Sequence, residues 1–128
     1  MPNDDTRTEL TLNDRGLWAI RSTSPTVVYL YLDLGTRQLF RHRRGTSPAL
    51  PHDDKWVPLV QVTSTRGDHT IRVGNRHEYL TDPEGDHHDH RWYIPRACTD
   101  IERINEEDLP EHARRTAPPP ARTHIDPT

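Results

Sequence analysis

The chain has 128 residues, of which only 30% are apolar, and a formal net charge of −3. This length accommodates one small domain with polar extensions. The near balance of charge argues against a dedicated nucleic-acid-binding protein, because such domains carry a clear basic excess. Cys98 is the only cysteine, so the sequence contains neither a disulfide framework nor a cysteine-based zinc cluster.

Targeting signals are not recognisable in the sequence. Residues 1–6 lack the basic start and the apolar run of a secretory signal peptide. The longest apolar run, over residues 27–32, is far too short to cross a bilayer. We therefore expect a cytoplasmic location without membrane contact, and a single cysteine fits that reducing compartment.

A meander of three strands is expected near the N-terminus. Residues 16–21 are rich in β-forming side chains, and residues 26–33 (Thr-Val-Val-Tyr-Leu-Tyr-Leu-Asp) form the clearest strand of the chain. Turn-forming residues at 22–25 separate the two and predict an antiparallel hairpin. Residues 37–42 return as the third strand.

Further strands are expected after an exposed loop over residues 43–55, which is rich in glycine, proline and aspartate. Residues 56–63 predict a strand, in which Pro58 favours an edge position or a bulge. Residues 70–73 alternate polar and apolar side chains, as a half-buried strand does.

The last elements are a polar loop over residues 81–89 and a short strand over 91–94, which Pro95 ends. Residues 99–104 fit two structures. Thr99 followed by Glu102 resembles the capping box of a helix, whereas the residue types equally fit a final strand.

Six to seven short strands predict a small all-β domain, built as an open antiparallel barrel or a compact sandwich. We assign this domain to residues 14–105. Residues 1–13 are expected to form a flexible extension. Residues 106–128, acidic and then rich in proline, are expected to be disordered because they bury too little apolar surface to offset their ordering entropy.

Short motifs distributed along the domain carry a family resemblance. They are Trp18-Ala19-Ile20-Arg21-Ser22-Thr23-Ser24, Leu32-Asp33-Leu34, Arg41, the strand from Trp56 to Leu59, Val73-Gly74, Trp92, Thr99, Ile101 and Ile104. The arrangement resembles a group of short uncharacterised all-β proteins of high-GC Gram-positive bacteria (actinobacteria) and their phages. The resemblance implies a phage or mobile-element origin and a strand over 99–104, and it transfers no activity.

A run of three histidines and two aspartates over residues 86–90 is the first candidate site. His88 and His90 stand two residues apart, so on a strand they share one face, and together with Asp86 they are candidate ligands for Zn²⁺. A metal-dependent hydrolase needs a third ligand, for which the remaining candidates are His42, His52, His69 and His77. The alternative is a solvated polar loop without bound metal.

An arginine strip over residues 37–44 is the second candidate site. Arg41, Arg43 and Arg44 are candidates for binding nucleic acid or a partner, with Trp18 as a nearby aromatic platform. The alternative is that the aromatic residues form the core and the arginines solvate a turn. The balanced charge favours this alternative, and nucleic acid is not the expected partner.

The three tryptophans, Trp18, Trp56 and Trp92, are expected to anchor the core, and an exposed one would mark a partner surface. Cys98 is expected to be a small buried apolar residue. Because no nucleophile arrangement or phosphate loop is recognisable, the favoured function is a non-enzymatic accessory or protein-binding module without a cofactor.

Overall fold

Antiparallel strands dominate the computed structural model, which describes residues 6–33, 36–45, 48–64, 67–85 and 90–115. The strands in these ranges are β1 (Thr6–Arg7), β2 (Glu9–Thr11), β3 (Gly16–Ser22), β4 (Val27–Asp33), β5 (Thr36–His42), β6 (Trp56–Ser64), β7 (Gly67–Asp68), β8 (Thr70–Arg72), β9 (Glu78–Thr81), β10 (Arg91–Tyr93) and β11 (Cys98–Arg103). A 3-10 helix (Glu106–Asp108) and α1 (Glu111–Arg115) follow.

The sheet order is β1-β11-β3-β4-β5-β6-β9-β10, with β7 paired to β6, and β2 pairs with β8 in a separate small sheet. The arrangement is sandwich-like and is not closed into a barrel. The all-β prediction is therefore confirmed, and the sandwich is the correct one of its two variants. The β3–β4–β5 meander is present as expected. Of the two alternatives left open for residues 99–104, the structure has the strand, as β11 (Cys98–Arg103) paired with β3.

Strand β6 connects the two layers of the fold. Residues 56–58 pair with β5, whereas Leu59 to Thr63 pair with β9 on the other edge, with a register shift between Leu59 and Gln61. Pro58 lies where the pairing changes from one partner to the other. Proline has no N–H to donate to a ladder, so it is tolerated where the pairing changes. This agrees with the expected position at an edge or a bulge.

The main core lies between the layers and is formed by alternate residues of the strands. Its largest fully buried members include Trp18, Tyr79, Leu30 and Ile101. Leu10 and Leu12 from the N-terminal segment belong to the same cluster. The predicted flexible extension over residues 1–13 is therefore wrong for residues 6–13, since β1 and β2 pair with the domain and bury both leucines.

A second apolar cluster covers the opposite face of the meander. It consists of Ala19, Val27, Tyr29, Phe40, Trp56, Leu109 and Ala113. Leu109 and Ala113 come from the segment predicted to be disordered. The prediction of disorder is therefore wrong for residues 106–115. The segment packs on the sheet because Leu109, which follows the 3-10 helix, and Ala113 of α1 contribute apolar side chains to the cluster on this face. Residues 116–128 lie outside the described part of the chain.

None of the described helices has the length and the apolar composition needed to cross a membrane.

Candidate functional site

A surface groove with a volume of about 630 Å³ lies between the loop that follows β5 and the segment from Trp92 to Arg96. Its size is within the range of ligand-binding clefts. Arg41 and Tyr93 line this groove and also a smaller adjoining recess of about 180 Å³, which reaches Leu39 and Val57 of the sheet. The groove therefore adjoins a recess that residues of β5, β6 and β10 line together.

Three exposed apolar side chains, Leu50, Trp92 and Ile94, line the groove; we call them the Trp92 patch. Their exposed fractions are 40%, 53% and 46%, respectively. A tryptophan that is half exposed leaves a large apolar area in water, and tryptophan is enriched among the residues that dominate binding energies. The expectation that Trp92 anchors the core is wrong.

Strand alternation explains why Trp92 faces outward. Successive side chains of β10 point to opposite faces, so Trp92 and Tyr93 take different faces, and Ile94 follows directly after the strand. Tyr93 packs against the core and stacks on Tyr79, with 6.1 Å between the ring centroids. Burial raises the pKa of the Tyr93 phenol, which keeps that side chain neutral. Packing of Tyr93 thus fixes the exposure of its two neighbours.

A buried ion pair holds the loop that carries Leu50. The guanidinium of Arg41 donates a hydrogen bond to Asp53 and a second one, of 3.1 Å, to the backbone oxygen of Pro48. Asp53 in turn accepts a 2.8 Å hydrogen bond from the backbone N–H of Leu50. The same guanidinium lies 4.9 Å from the centre of the Tyr93 ring. Arg41 therefore ties the loop to β10 across the groove.

The rim of the groove is positively charged. Arg76 and Arg96 are exposed and line it, and the Arg76 Nε donates a 3.0 Å hydrogen bond to the backbone oxygen of Pro95. Among the described residues that line this groove, none carries a carboxylate. Asp53 borders only the adjoining recess, where Arg41 neutralises it. The groove thus combines an apolar floor with cationic edges, and Glu78 lies beyond it, in a neighbouring recess that Arg76 and Ile94 also line.

The predicted arginine strip does not form one surface. Arg41 is buried and paired, whereas Arg43 and Arg44 are exposed in the following loop. Trp18 is 1% exposed, with the Arg7 guanidinium 4.8 Å from its ring centre, and has no surface on which a base stacks. Trp18 is therefore a core residue rather than part of a binding platform, as the alternative interpretation expected.

The predicted metal site falls mainly on residues 86–89, which lie outside the described residues, so Asp86 and His88 have no structural account. His90 is exposed at the start of β10. Of the other histidines, His42 is 3.0 Å from Asp54, and His77 is buried. Within the described ranges, no group of three or more His, Cys, Asp or Glu side chains is arranged to hold a metal ion.

The length of the strand around Trp92 is a sequence feature that points to an exposed position for this residue. Trp92 stands in a very short strand that begins with Arg91 and ends before Pro95, and such strands lie at sheet edges. A loop whose path the sequence does not define separates Arg41 from Asp53. The ion pair between them is therefore not predictable from the sequence.

No family model matches the chain, and no curated protein or solved structure shows a significant similarity to it.

Proposed function

We propose that this protein is a non-enzymatic protein-binding module and that its partner docks on the Trp92 patch. The observation that carries the proposal is the exposure of Trp92 beside Leu50 and Ile94 in one groove. A contiguous apolar surface with a polar rim is typical of protein-interaction sites.

Preorganisation supports this function. Trp92 and Ile94 flank Tyr93, which is packed in the core, and Leu50 belongs to the loop that Arg41 and Asp53 hold. A surface that is already fixed loses little conformational entropy when a partner binds, which favours affinity. Among the described residues that line the groove, the hydroxyl side chains of Thr23 and Ser24 have no histidine or carboxylate beside them in the lining.

The proposal includes a cytoplasmic location, which the lone free cysteine supports. It also includes a phage or mobile-element origin, which the family resemblance supports. A small accessory module that acts through one partner fits both.

Site-specific photo-cross-linking tests the proposal. A benzophenone amino acid replaces Ile94 in one version of the full chain and Val73 in another, and each is expressed in the native host. Val73 is the matched control because it is apolar and 39% exposed but does not line the groove. We expect one discrete cross-linked protein from position 94 that is lost when Trp92→Ala is added. Equal products from both positions, or none from position 94, contradict the proposal.

A further inference from the structure

Among the described strands, β10 lies at the end of its sheet. In the part of the chain that the structure describes, β10 pairs with β9 and with no other strand. Every second residue of an antiparallel edge strand directs its N–H and C=O groups away from its neighbour. Such an edge is a template for an added strand, and the groove lies beside it.

Side-chain spacing at this edge selects an extended ligand. Trp92 of β10 and Ile94, which follows the strand, are two residues apart, exposed, and both line the groove, so they present two apolar contacts to a ligand that runs along the chain in this direction. An added strand places alternate side chains on one face and the intervening ones on the other. A peptide with apolar residues at every second position therefore matches the Trp92 patch.

Charge selects the intervening residues. Arg76 and Arg96 line the groove without a carboxylate among its described lining residues, and Arg91 is exposed on β10 itself. This local positive charge belongs to a chain whose net charge is −3. Glutamate and aspartate side chains on the ligand complement it, whereas a basic ligand is repelled. A nucleic acid is disfavoured, because the whole chain lacks the basic excess that such ligands require.

We propose that the groove beside β10 binds an extended acidic peptide segment of the partner protein, which pairs with the β10 edge and alternates apolar with acidic side chains. This proposal rests on the proposed function and specifies its ligand. The apolar side chains contact Trp92 and Ile94, and the carboxylates face Arg76 and Arg96. Main-chain pairing supplies affinity that is independent of sequence, and the side chains supply selectivity.

Selection from a displayed library of random linear nine-residue peptides on the immobilised full chain tests this proposal. We expect the enriched peptides to alternate Asp or Glu with apolar residues and to require Trp92. A synthetic copy of an enriched peptide should bind about five- to tenfold more weakly to Arg76→Glu/Arg96→Glu, the effect of two exposed charge pairs. Arg15→Glu, an exposed site outside the groove, should leave binding unchanged. Because Arg76 also bonds to Pro95, Arg96→Glu alone provides a second variant.

Backbone pairing has its own readout. N-methylation of one alternate set of amides in the enriched peptide should abolish binding, while methylation of the other set should have little effect. Equal effects of both sets overturn the strand-pairing model.

Other outcomes separate the two proposals. Enriched peptides that are basic or uncharged yet require Trp92 overturn the acidic ligand and leave the proposed function intact. Failure to enrich any Trp92-dependent peptide overturns the peptide ligand, and cross-linking from position 94 then decides the proposed function alone. Displacement of the bound peptide by a single-stranded oligo-dT identifies a nucleic-acid surface and overturns the acidic ligand.

Discussion

The indole Nε1 of Trp56 donates a hydrogen bond of 3.0 Å to the backbone carbonyl oxygen of Ala113, 57 residues further along the chain. The bond satisfies the polar atom of a buried aromatic side chain and attaches α1 to the outer face of the meander. Phe40 packs beside it, with 5.3 Å between its ring centre and that of Trp56. Residues 106–115 thereby become part of the folded domain.

Leu109→Ala tests whether this C-terminal segment stabilises the fold. We expect the free energy of unfolding to fall by about 2–3 kcal/mol, because the substitution leaves a cavity in the second apolar cluster, to which Leu109 belongs. Urea denaturation followed by tryptophan fluorescence measures it. Leu50→Ala is the matched control, since Leu50 is exposed and its truncation should cost less than about 0.5 kcal/mol. Equal losses for the two variants would show that the segment does not contribute to stability.

Asp53→Ala tests the buried pair that holds the groove. Removing the carboxylate leaves the Arg41 guanidinium buried without its counter-charge, so we expect a loss of about 3 kcal/mol in the free energy of unfolding. Thermal or urea denaturation checks this value.

The control for the buried pair is Glu102→Gln, which weakens the half-exposed pair between Arg21 and Glu102 and should cost about 1 kcal/mol or less. Arg41→Met/Asp53→Leu should recover much of the stability lost in Asp53→Ala, because it removes both charges. A cost for Asp53→Ala as small as that of Glu102→Gln contradicts the role assigned to Arg41.

The all-β fold was predictable because local patterns encode it. The β-branched and aromatic residues of β4 and the turn residues at 22–25 define the central hairpin without any tertiary information. The strand over Cys98–Arg103 left two alternatives open, and pairing with β3 decided between them. Local residue types cannot make that choice, because the partner strand is some 80 positions away along the chain.

The terminal segments and the site depended on tertiary contacts. Leu109 and Ala113 look like isolated apolar residues in a polar tail, and only the uncovered cluster around Trp56 and Phe40 gives them a place to pack. The large side chain of Trp92, in a domain with few other large residues, predicts a core position. Its exposure follows from the packing of Tyr93, which takes the inward position on a strand of three residues.

His77 predicts a pH dependence of stability. The backbone N–H of Arg72 donates a 3.0 Å hydrogen bond to the Nε2 of His77, and burial lowers the pKa of His77 from 6.5 to about 4. Between these values the unfolded chain binds the proton and the folded chain does not, so stability is lost as pH falls from 6.5 towards 4. We expect wild type to lose about 2 kcal/mol more than His77→Gln between pH 7 and 4.5.

Urea denaturation of both proteins across that range measures the difference. Comparison with His77→Gln removes the contribution of the carboxyl groups, which titrate in both proteins. Parallel stability profiles would contradict a neutral, buried imidazole at this position.

Cys98 is predicted to be unreactive in the native protein. The side chain is buried beside Ile101 in the core, and burial raises the pKa of its thiol to about 11. At pH 8 the thiolate fraction falls from about a tenth, for a thiol of pKa 9.0, to about a thousandth, and only the thiolate attacks a disulfide reagent. We expect reaction with Ellman's reagent to be at least about 100-fold slower than for a free thiol.

Leu50→Cys provides the matched comparison within one molecule, because its new thiol lies on the exposed loop while Cys98 stays buried. This variant should release one equivalent of chromophore rapidly and a second only when urea unfolds the chain. Wild type should show the slow phase alone. Two fast equivalents in folded Leu50→Cys would mean that the layer of β3 and β11 around Cys98 opens readily, since the reagent reaches the thiol only through that packing.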